Sequence, residues 1–492
     1  AAPTLPRRPA VRRSLVLAAC LMATFMAAVE STIVATAMPT IVADLGGFGL
    51  FSWVFAVYLL TQAIAIPIYG RMADIYGRRK VFYVGVGVFL TGSTLCGFAP
   101  SMVWLVLFRA LQGFGAGGVQ PIAMTICGDI YTPSERAHVQ GLISSVFGVS
   151  AVVGPTLGAF LVEHVAWPVV FWVNLPVGAA AIVMISLFLR EDVAPRQHRI
   201  DLLGSVLMML GIGAVMLLLV QGGTLVRWAM LSAGVVALGS FAWLFLHESR
   251  TAEPMLPLEL WRDRVIAISS LGSGLAGAVM MGISAFLPTY VQGAMQRSPT
   301  IAGLVLGAMS VTWAFSSILG GRLMVRTTYR LAAALGAGAL ILGSMALLLM
   351  RPSEGLFWAV TGSLVIGIGM GLCNTAFIVS IQAAVPWAKR GAATSSCLFL
   401  RFIGQALGAS GFGAVLNLSI EHAAPGAASQ VDRLLEPALR ATLSGPQRAQ
   451  LVNLVAGGVH NAYWLALALA IAALLLVLQL PARLSPSQQT LR

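Results

Sequence analysis

Fourteen long apolar stretches run along this chain of 492 residues. A helix needs about 20 apolar residues to cross the hydrocarbon core of a bilayer. The weak, alternating pattern of an outer-membrane barrel is not present. The sequence therefore predicts an all-α integral membrane protein with fourteen transmembrane helices. The predicted spans are 15–37, 50–69, 81–99, 102–127, 139–162, 168–189, 202–220, 226–246, 265–291, 302–320, 331–350, 356–384, 395–417 and 461–480.

The overall composition agrees with a membrane protein. Hydrophobic residues make up 58% of the chain and charged residues 10%, whereas a soluble domain carries about 25% charged residues. All five cysteines lie inside apolar stretches without the paired spacing of metal ligands, so we expect them to pack in the interior. They are Cys20, Cys96, Cys127, Cys373 and Cys397.

The net charge of +13 resembles that of a nucleic-acid-binding protein, but the placement of the cations argues against this function. With the N-terminus inside, 22 of the 30 Lys and Arg residues fall in cytoplasmic segments, six fall outside, and Arg109 and Arg401 lie within spans. Cytoplasmic loops of membrane proteins are enriched in Lys and Arg. This bias predicts that both termini are cytoplasmic, and it explains the basic charge without a nucleic-acid partner.

An internal repeat divides the chain. Three glycines recur at an offset of 250 residues, and a basic loop recurs one residue off this offset. The matching positions are Gly141, Gly154 and Gly158 with Gly391, Gly404 and Gly408, and Gly70-Arg71-Met72 with Gly321-Arg322-Leu323. The repeat predicts two pseudo-symmetric six-helix bundles, at 1–190 and 265–492, with two inserted helices and their flanking loops at 191–264. Duplicated halves around a midplane cavity are typical of secondary transporters.

A long extracytoplasmic loop is predicted at about 418–460 because its apolar residues are interrupted by charges. Two interpretations of this segment stay open. It forms a short amphipathic helix on the membrane surface, or it is a solvated linker.

Two charged residues inside predicted spans, Glu30 and Arg109, are candidates for proton transfer. A carboxylate such as Glu30 in a membrane helix costs roughly 2.5–3.5 kcal/mol, so its presence suggests a function. Counted from the predicted span ends, Glu30 and Arg109 both lie about 10 Å below the outer surface. Arg109 favours the ionised carboxylate and apolar surroundings favour the protonated one, so the pair is a candidate proton carrier. The alternative is a permanent structural ion pair.

Five motifs, in order along the chain, resemble those of the major facilitator superfamily. They lie at 30–39, 70–80, 108–117, 148–158 and 167–178. The loop at 70–80 resembles the signature between helices 2 and 3, and the 148–158 motif resembles the helix-5 motif associated with antiporters. The first and last motifs resemble those of the fourteen-helix drug–proton antiporter branch. The resemblance covers essentially the whole chain.

The resemblance implies two gating elements. A cytoplasmic latch would consist of Asp74 with the cations around it, on a loop whose glycines allow a tight turn. The latch residues are Gly70, Arg71, Asp74, Gly77, Arg78 and Arg79. A seal between the halves would form at the small residues and proline of helix 5, although ordinary helix packing uses the same residues. These residues are Gly148, Gly154, Pro155 and Gly158.

The sequence departs from the family pattern at several positions. Glu30 stands where the branch usually has Asp, Thr36 where it has Asn, and Pro168 where it has Arg. The second-half loop at 321–326 has no acid. No Asp or Glu lies within predicted helices 9–14, where some relatives use an extra acid to recognise dicationic drugs.

Polar and aromatic side chains within the spans are candidates to line a substrate cavity. Most of them are also explained by hydrogen bonds between helices. Arg401 is the exception, because it is an intramembrane cation without an acidic partner in its half. It could meet an anionic substrate group or a backbone carbonyl. The candidates are Tyr58, Gln62, Gln112, Tyr290, Trp313, Asn374, Arg401 and Gln405.

The expected function is that of a proton-coupled antiporter for multidrug efflux, and hence antibiotic resistance, by alternating access. Its substrates would be hydrophobic or amphipathic compounds. It would be a monomer among the lipids of a bacterial cytoplasmic membrane, driven by the proton gradient without metal or cofactor. An exporter of lipids or lipid-like metabolites is the first alternative. A membrane-embedded enzyme is a distant one, because the six histidines lie in or next to predicted loops.

Overall fold

The computed structural model describes residues 12–131, 133–189, 201–221, 226–251, 259–385, 390–424, 431, 434 and 444–481. Within this part of the chain, thirteen helices are long and apolar enough to cross a membrane, and Pro133–His164 is a further helix of 32 residues. The prediction of an all-α membrane protein is therefore confirmed.

The helices follow the predicted order. They are α1 (Arg13–Leu45), α2 (Phe51–Tyr76), α3 (Arg78–Gly97), α4 (Met102–Ile130), α5 (Pro133–His164), α6 (Val169–Phe188), α7 (Leu202–Gln221), α8 (Arg227–Glu248), α9 (Arg264–Thr289), α10 (Pro299–Arg326), α11 (Tyr329–Leu348), α12 (Phe357–Ala384), α13 (Arg390–Ala423) and α14 (Gly445–Val477). Within α6, the segments Val169–Trp172 and Asn174–Phe188 are separated at Val173.

The first helix is longer than predicted. It continues past 37 to Leu45 with Pro39 inside it, because membrane helices tolerate proline when neighbouring helices satisfy the freed backbone groups. Glu30 therefore lies 15 residues from the end of α1, about 22 Å at 1.5 Å per residue. The distance of about 10 Å from Glu30 to the outer end of this helix, estimated from the sequence, was therefore too short.

The predicted boundaries of the 418–460 loop were also wrong. Helix α13 continues to Ala423, and α14 begins at Gly445. The start of α14 carries polar residues that lower its hydropathy, yet Leu451, Val455 and Val459 form a buried stripe at helical spacing. A capping box formed by Ser444 and Gln447 fixes this start. His460 consequently lies inside a helix.

The helices pack as two equivalent bundles, α1–α6 and α9–α14, and the glycines of the repeat explain why. A Cβ on Gly158 would lie 2.6 Å from the carbonyl oxygen of Ile33, and a Cβ on Gly408 would lie 2.5 Å from the Cα of Ala278. In each half, therefore, a glycine of the fifth helix lets it pack closely on the first. The predicted pseudo-symmetric bundles with two inserted helices are confirmed.

The halves meet through α2 with α13, α5 with α10, and α1 with α9 and α10. The basic end of the molecule is defined here as the end that carries the loop at 71–80. At the opposite end, the rings of Phe51 and Phe286 lie 5.0 Å apart, and Gln292 donates to the Thr36 carbonyl at 3.2 Å. Thr300 donates to Glu163 at the same end. These contacts close the halves against each other there.

The two inserted helices lie beside the junction of the halves. Helices α7 and α8 pack on each other, and α7 also contacts α2 and α13. Since α2 and α13 form one of the pairs that join the halves, α7 covers this junction on one side.

Candidate functional site

The central feature of the first half is a buried ion pair between α1 and α4. Arg109 donates from Nη1 to Oε1 of Glu30 at 2.5 Å, and the two side chains are 1% and 0% exposed. The Nε of Arg109 also donates to the carbonyl oxygen of Val54 on α2, at 3.2 Å. The sequence named these two residues as a pair, and the structure brings them into contact.

The second carboxylate oxygen is held from α6. Asn174 donates from Nδ2 to Oε2 of Glu30 at 2.6 Å, and the same amide lies 3.1 Å from Oγ of Ser93 on α3. The break in α6 immediately precedes Asn174. Both carboxylate oxygens thus have donors, which stabilises the ionised form in an interior without bulk water.

Two residues predicted to line a substrate cavity belong instead to this cluster. The Oε1 of Gln112 accepts from Arg109 at 2.7 Å, and its Nε2 donates to Ser93 at 3.0 Å. The ring of Tyr58 lies 4.0 Å from the guanidinium carbon of Arg109, a cation–π distance. Both side chains are buried, Gln112 at 0% and Tyr58 at 1% exposure. In this conformation both side chains are enclosed by the protein, and their assignment to a substrate cavity stays a prediction.

The burial of the pair limits its chemistry. Five helices, α1, α2, α3, α4 and α6, enclose Glu30 and Arg109, so neither side chain is exposed in this conformation. Protonation would replace the charged contact by a weaker neutral one. The site therefore links the charge of one carboxyl group to the packing of α1, α4 and α6.

Asn174 and Ser93 are the site residues that the sequence did not single out. Asn174 lies within the motif at 167–178, but an amide or hydroxyl in a span is commonly explained by helix packing. Only the folded geometry shows that both converge on Glu30.

Replacing Asn174 by Ala is expected to lower the free energy of unfolding by about 1.5–3 kcal/mol, because a hydrogen bond to a buried charged group is lost. The measurement is unfolding in mixed micelles with increasing dodecyl sulfate. Asn461→Ala is the matched control, since Asn461 is exposed and its amide contacts Ser419 on the surface. Equal destabilisation by the two variants would show that Asn174 does not stabilise the ionised cluster.

The second half holds its own polar group. Arg401 on α13 donates from Nη1 to Oδ1 of Asn374 on α12, at 2.9 Å. A Cβ on Gly277 of α9 would lie 3.2 Å from the Cγ atoms of both Arg401 and Gln405. The structure thus brings together three of the predicted cavity residues, Asn374, Arg401 and Gln405, next to α9.

The other cavity candidates are dispersed. Gln62 on α2 and Trp313 on α10 occupy corresponding positions, and their backbone carbonyls pack against Gly117 and Gly371. Tyr290 lies in a π-helical turn after α9, and its hydroxyl donates to the carbonyl oxygen of Met350 at 3.2 Å. Its position at the end opposite the basic loops explains why it does not join the Arg401 group.

The basic loop has the predicted tight turn. Gly77 has φ 92° between α2 and α3, a conformation that favours glycine. Arg79 donates to the hydroxyl of Tyr83 and to the carbonyl of Ser186 on α6, each at 2.8 Å. Arg78 is half-buried, and a Cβ on Gly70 would meet open space. The side chains of Arg71 and Asp74 lie outside the described residues.

The described part of the helix-5 motif packs closely against neighbouring helices. Gly154 faces Thr32 on α1, and the carbonyl oxygen of Pro155 would lie 2.6 Å from a Cβ on Gly303 of α10. This motif therefore contacts both its own half and the other half. The surroundings of Gly148 are outside the described residues.

Comparison with known proteins agrees with this architecture. A family model described as Major Facilitator Superfamily matches residues 20–201 and 189–409. Multidrug resistance protein 3 of Bacillus subtilis (strain 168) is 33% identical over 398 residues, covering 80% of this chain and 78% of that protein. Multidrug transporter protein MdtP of the same organism is 33% identical over 409 residues, covering 82% and 76%.

Among solved structures, the fold resembles that of a bacterial homolog to the human lysosomal transporter Spinster. The TM-score is 0.68 at 18% identity, covering 96% of this chain and 99% of that chain. At this identity the likeness shows the fold alone.

Proposed function

The chain belongs to the Major Facilitator Superfamily, and on that premise we propose that it is a proton-coupled antiporter that exports hydrophobic or amphipathic compounds. The observation that carries the proposal is the buried contact of Glu30 with Arg109. The names of the two Bacillus relatives support multidrug efflux as the physiological task.

In this proposal, Glu30 binds the proton, and Arg109 adjusts the affinity of Glu30 for that proton. With Glu30 ionised, the network of Arg109, Asn174 and Gln112 holds α1, α4 and α6 together. A proton on Glu30 removes the charge that attracts Arg109, so the cluster loosens and the helices rearrange. Proton release on the other side of the membrane restores the contact.

Alternating access supplies the two conformations. The moving units are 1–190 and 265–492, with 191–264 between them. The excess of Lys and Arg at the basic end argues that this end, with both termini, is cytoplasmic in a bacterial inner membrane. The contacts at the opposite end then correspond to a conformation closed to the outside. Asp74, Arg71 and Arg78 would latch the cytoplasmic end in the other conformation.

The transport cycle in this proposal draws its energy from the proton gradient and needs no cofactor or metal. One chain contains both halves, so a monomer suffices. The protein would move its substrate without converting it, because the buried polar cluster around Glu30 is an ion pair and, among its described members, does not pair a nucleophile with a base.

The test is substrate-induced proton movement in proteoliposomes with a pH gradient, over a panel of cationic, neutral and anionic amphiphiles. We expect at least one compound to release luminal protons from liposomes that contain the protein and not from empty ones. If no compound moves protons but fluorescent lipid is translocated, the lipid-exporter alternative replaces the drug antiporter.

A further inference from the structure

We propose that Arg401 is the binding site for the anionic group of the transported compound, so that the preferred substrates are anionic amphiphiles. This inference rests on the proposed export function and specifies its substrate class. The geometry of Arg401, the distribution of acids in the second half and the position of α13 support it in turn.

Arg401 has a guanidinium group whose hydrogen bonds are incomplete. Its Nη1 donates to Asn374, which is neutral, and its buried Nε has no partner among the described residues. Arg109 differs on each point, because it contacts the carboxylate of Glu30, the amide of Gln112 and the carbonyl of Val54. The cation of the first half is neutralised within the protein, whereas no described residue supplies a negative charge to the cation of the second half.

The second half offers no acid at the depth of Arg401. Within the helices α9–α14, the single acidic residue of the sequence is Glu421, near the far end of α13. It lies 20 residues beyond Arg401, about 30 Å along the helix. A cation inside the membrane requires a counter-charge or water. An anion that enters from outside the protein would provide that counter-charge.

Arg401 lies on a helix that borders the junction of the halves. Helix α13 contacts α2, and α9, on which the stems of Arg401 and Gln405 lie, contacts α1. The Arg401 side chain as a whole is half-buried, and its Nε is buried. The two neutral amides of Asn374 and Gln405 next to it add polar groups without adding negative charge. A sulfonate or carboxylate fits such surroundings, and a cation does not.

The test uses two fluorescent probes that differ by one sulfonate. These are 8-anilinonaphthalene-1-sulfonate, which is anionic, and N-phenyl-1-naphthylamine, which is neutral. Saturable binding is measured to the full chain in phosphatidylcholine nanodiscs, with empty nanodiscs subtracted. Arg401→Gln is expected to weaken binding of the sulfonate about tenfold or more, because a charge-assisted contact is lost. Its affinity for the neutral probe should change less than about twofold.

Three further variants make the result specific. Arg401→Lys retains the charge, so its affinity for the sulfonate should stay within about threefold of the wild type. Asn374→Asp retains Arg401 but gives it an internal counter-charge, so it should weaken sulfonate binding as Arg401→Gln does. Arg227→Gln removes a charge at an exposed position of α8 and should change neither affinity.

Several results would overturn the proposal. They are equal sulfonate affinity in wild type and Arg401→Gln, parallel loss of both probes, or no saturable sulfonate binding by the wild type. If Arg401→Gln does not fold, Asn374→Asp is the deciding variant. An unchanged affinity of Asn374→Asp for the sulfonate would refute the site. If nanodiscs with phosphatidylglycerol abolish the Arg401-dependent component, the occupant is a lipid headgroup, and a small anionic substrate is refuted.

The binding assay is made at equilibrium and needs no proton gradient. Failure of the anion site at Arg401 can therefore be distinguished from failure of proton antiport. Arg401-dependent sulfonate binding without proton exchange for any compound would refute antiport alone. Proton exchange with neutral or cationic compounds, together with sulfonate binding that does not depend on Arg401, would refute the anion site alone.

Discussion

Glu30→Gln is expected to abolish substrate-driven proton release while substrate still binds. Glutamine occupies nearly the same volume as glutamate but cannot carry the proton. The assay is proton release from proteoliposomes, calibrated against the rate of the wild type, with any compound that the wild type exchanges. We expect a loss of at least about 100-fold, which is the lower end of the 10²–10⁴-fold contribution typical of a positioned proton-transfer group.

A structural ion pair would also make this variant defective, so stability must be measured beside transport. Glu30→Gln leaves Arg109 buried without its counter-charge, and Arg109→Gln does the same to Glu30. Loss of one partner of a buried pair typically costs 3–5 kcal/mol. Each single variant should therefore unfold more easily than the wild type by about this amount.

The double variant Glu30→Gln with Arg109→Gln separates the two roles. It removes both charges, so no uncompensated ion remains, and it should recover much of the stability lost in either single variant. Proton exchange should remain absent, because the carrier is still missing. If the double variant exchanges protons at the wild-type rate, Glu30 is a structural residue and the coupling group lies elsewhere.

The order and number of the helices could be predicted because the bilayer imposes a long apolar run on each span. The ends of α1 and α14 could not, for different reasons. A proline usually ends a helix in a soluble protein, but membrane helices that pack on one another tolerate it, and Pro39 lies inside α1. The polar start of α14 becomes helical because one face of it, including Leu451 and Val455, is buried.

The candidate site was predictable in part. Charge inside an apolar span identified Glu30, Arg109 and Arg401, because the membrane makes such residues costly unless they function. Neutral polar residues carry no such signal. Gln112 and Asn174 are both amides within spans, and only the packing of α4 and α6 against α1 shows that they contact the ion pair. Which partners a polar side chain finds depends on the orientation of whole helices.

Gly303→Ala is expected to shift the protein away from the conformation described here. The added Cβ would lie 2.6 Å from the carbonyl oxygen of Pro155, a backbone atom in the other half that cannot move aside alone. Overpacking of this kind costs roughly 1–3 kcal/mol, which changes a two-state equilibrium about 5–150-fold. Because the contact exists where the end opposite the basic loops is closed, the conformation open at that end should gain population.

Spin-label distances test this shift. Since all five native cysteines are buried, labels attach selectively to cysteines introduced at exposed positions. Cysteines at Val165 and Arg351 report on the end opposite the basic loops, and cysteines at Lys80 and Arg322 report on the basic end. In Gly303→Ala the first distance should increase and the second should decrease.

The matched control lies one turn away on the same helix. A Cβ on Gly307 would have no neighbour within 4 Å, so Gly307→Ala should leave both distance distributions unchanged. Reciprocal change at the two ends is the signature of halves that rock against each other. A different outcome would be a longer distance at the end opposite the basic end, with no change at the basic end. In that case the glycine only relieves a local contact. The contact between α5 and α10 would then not control which side of the membrane the cavity faces.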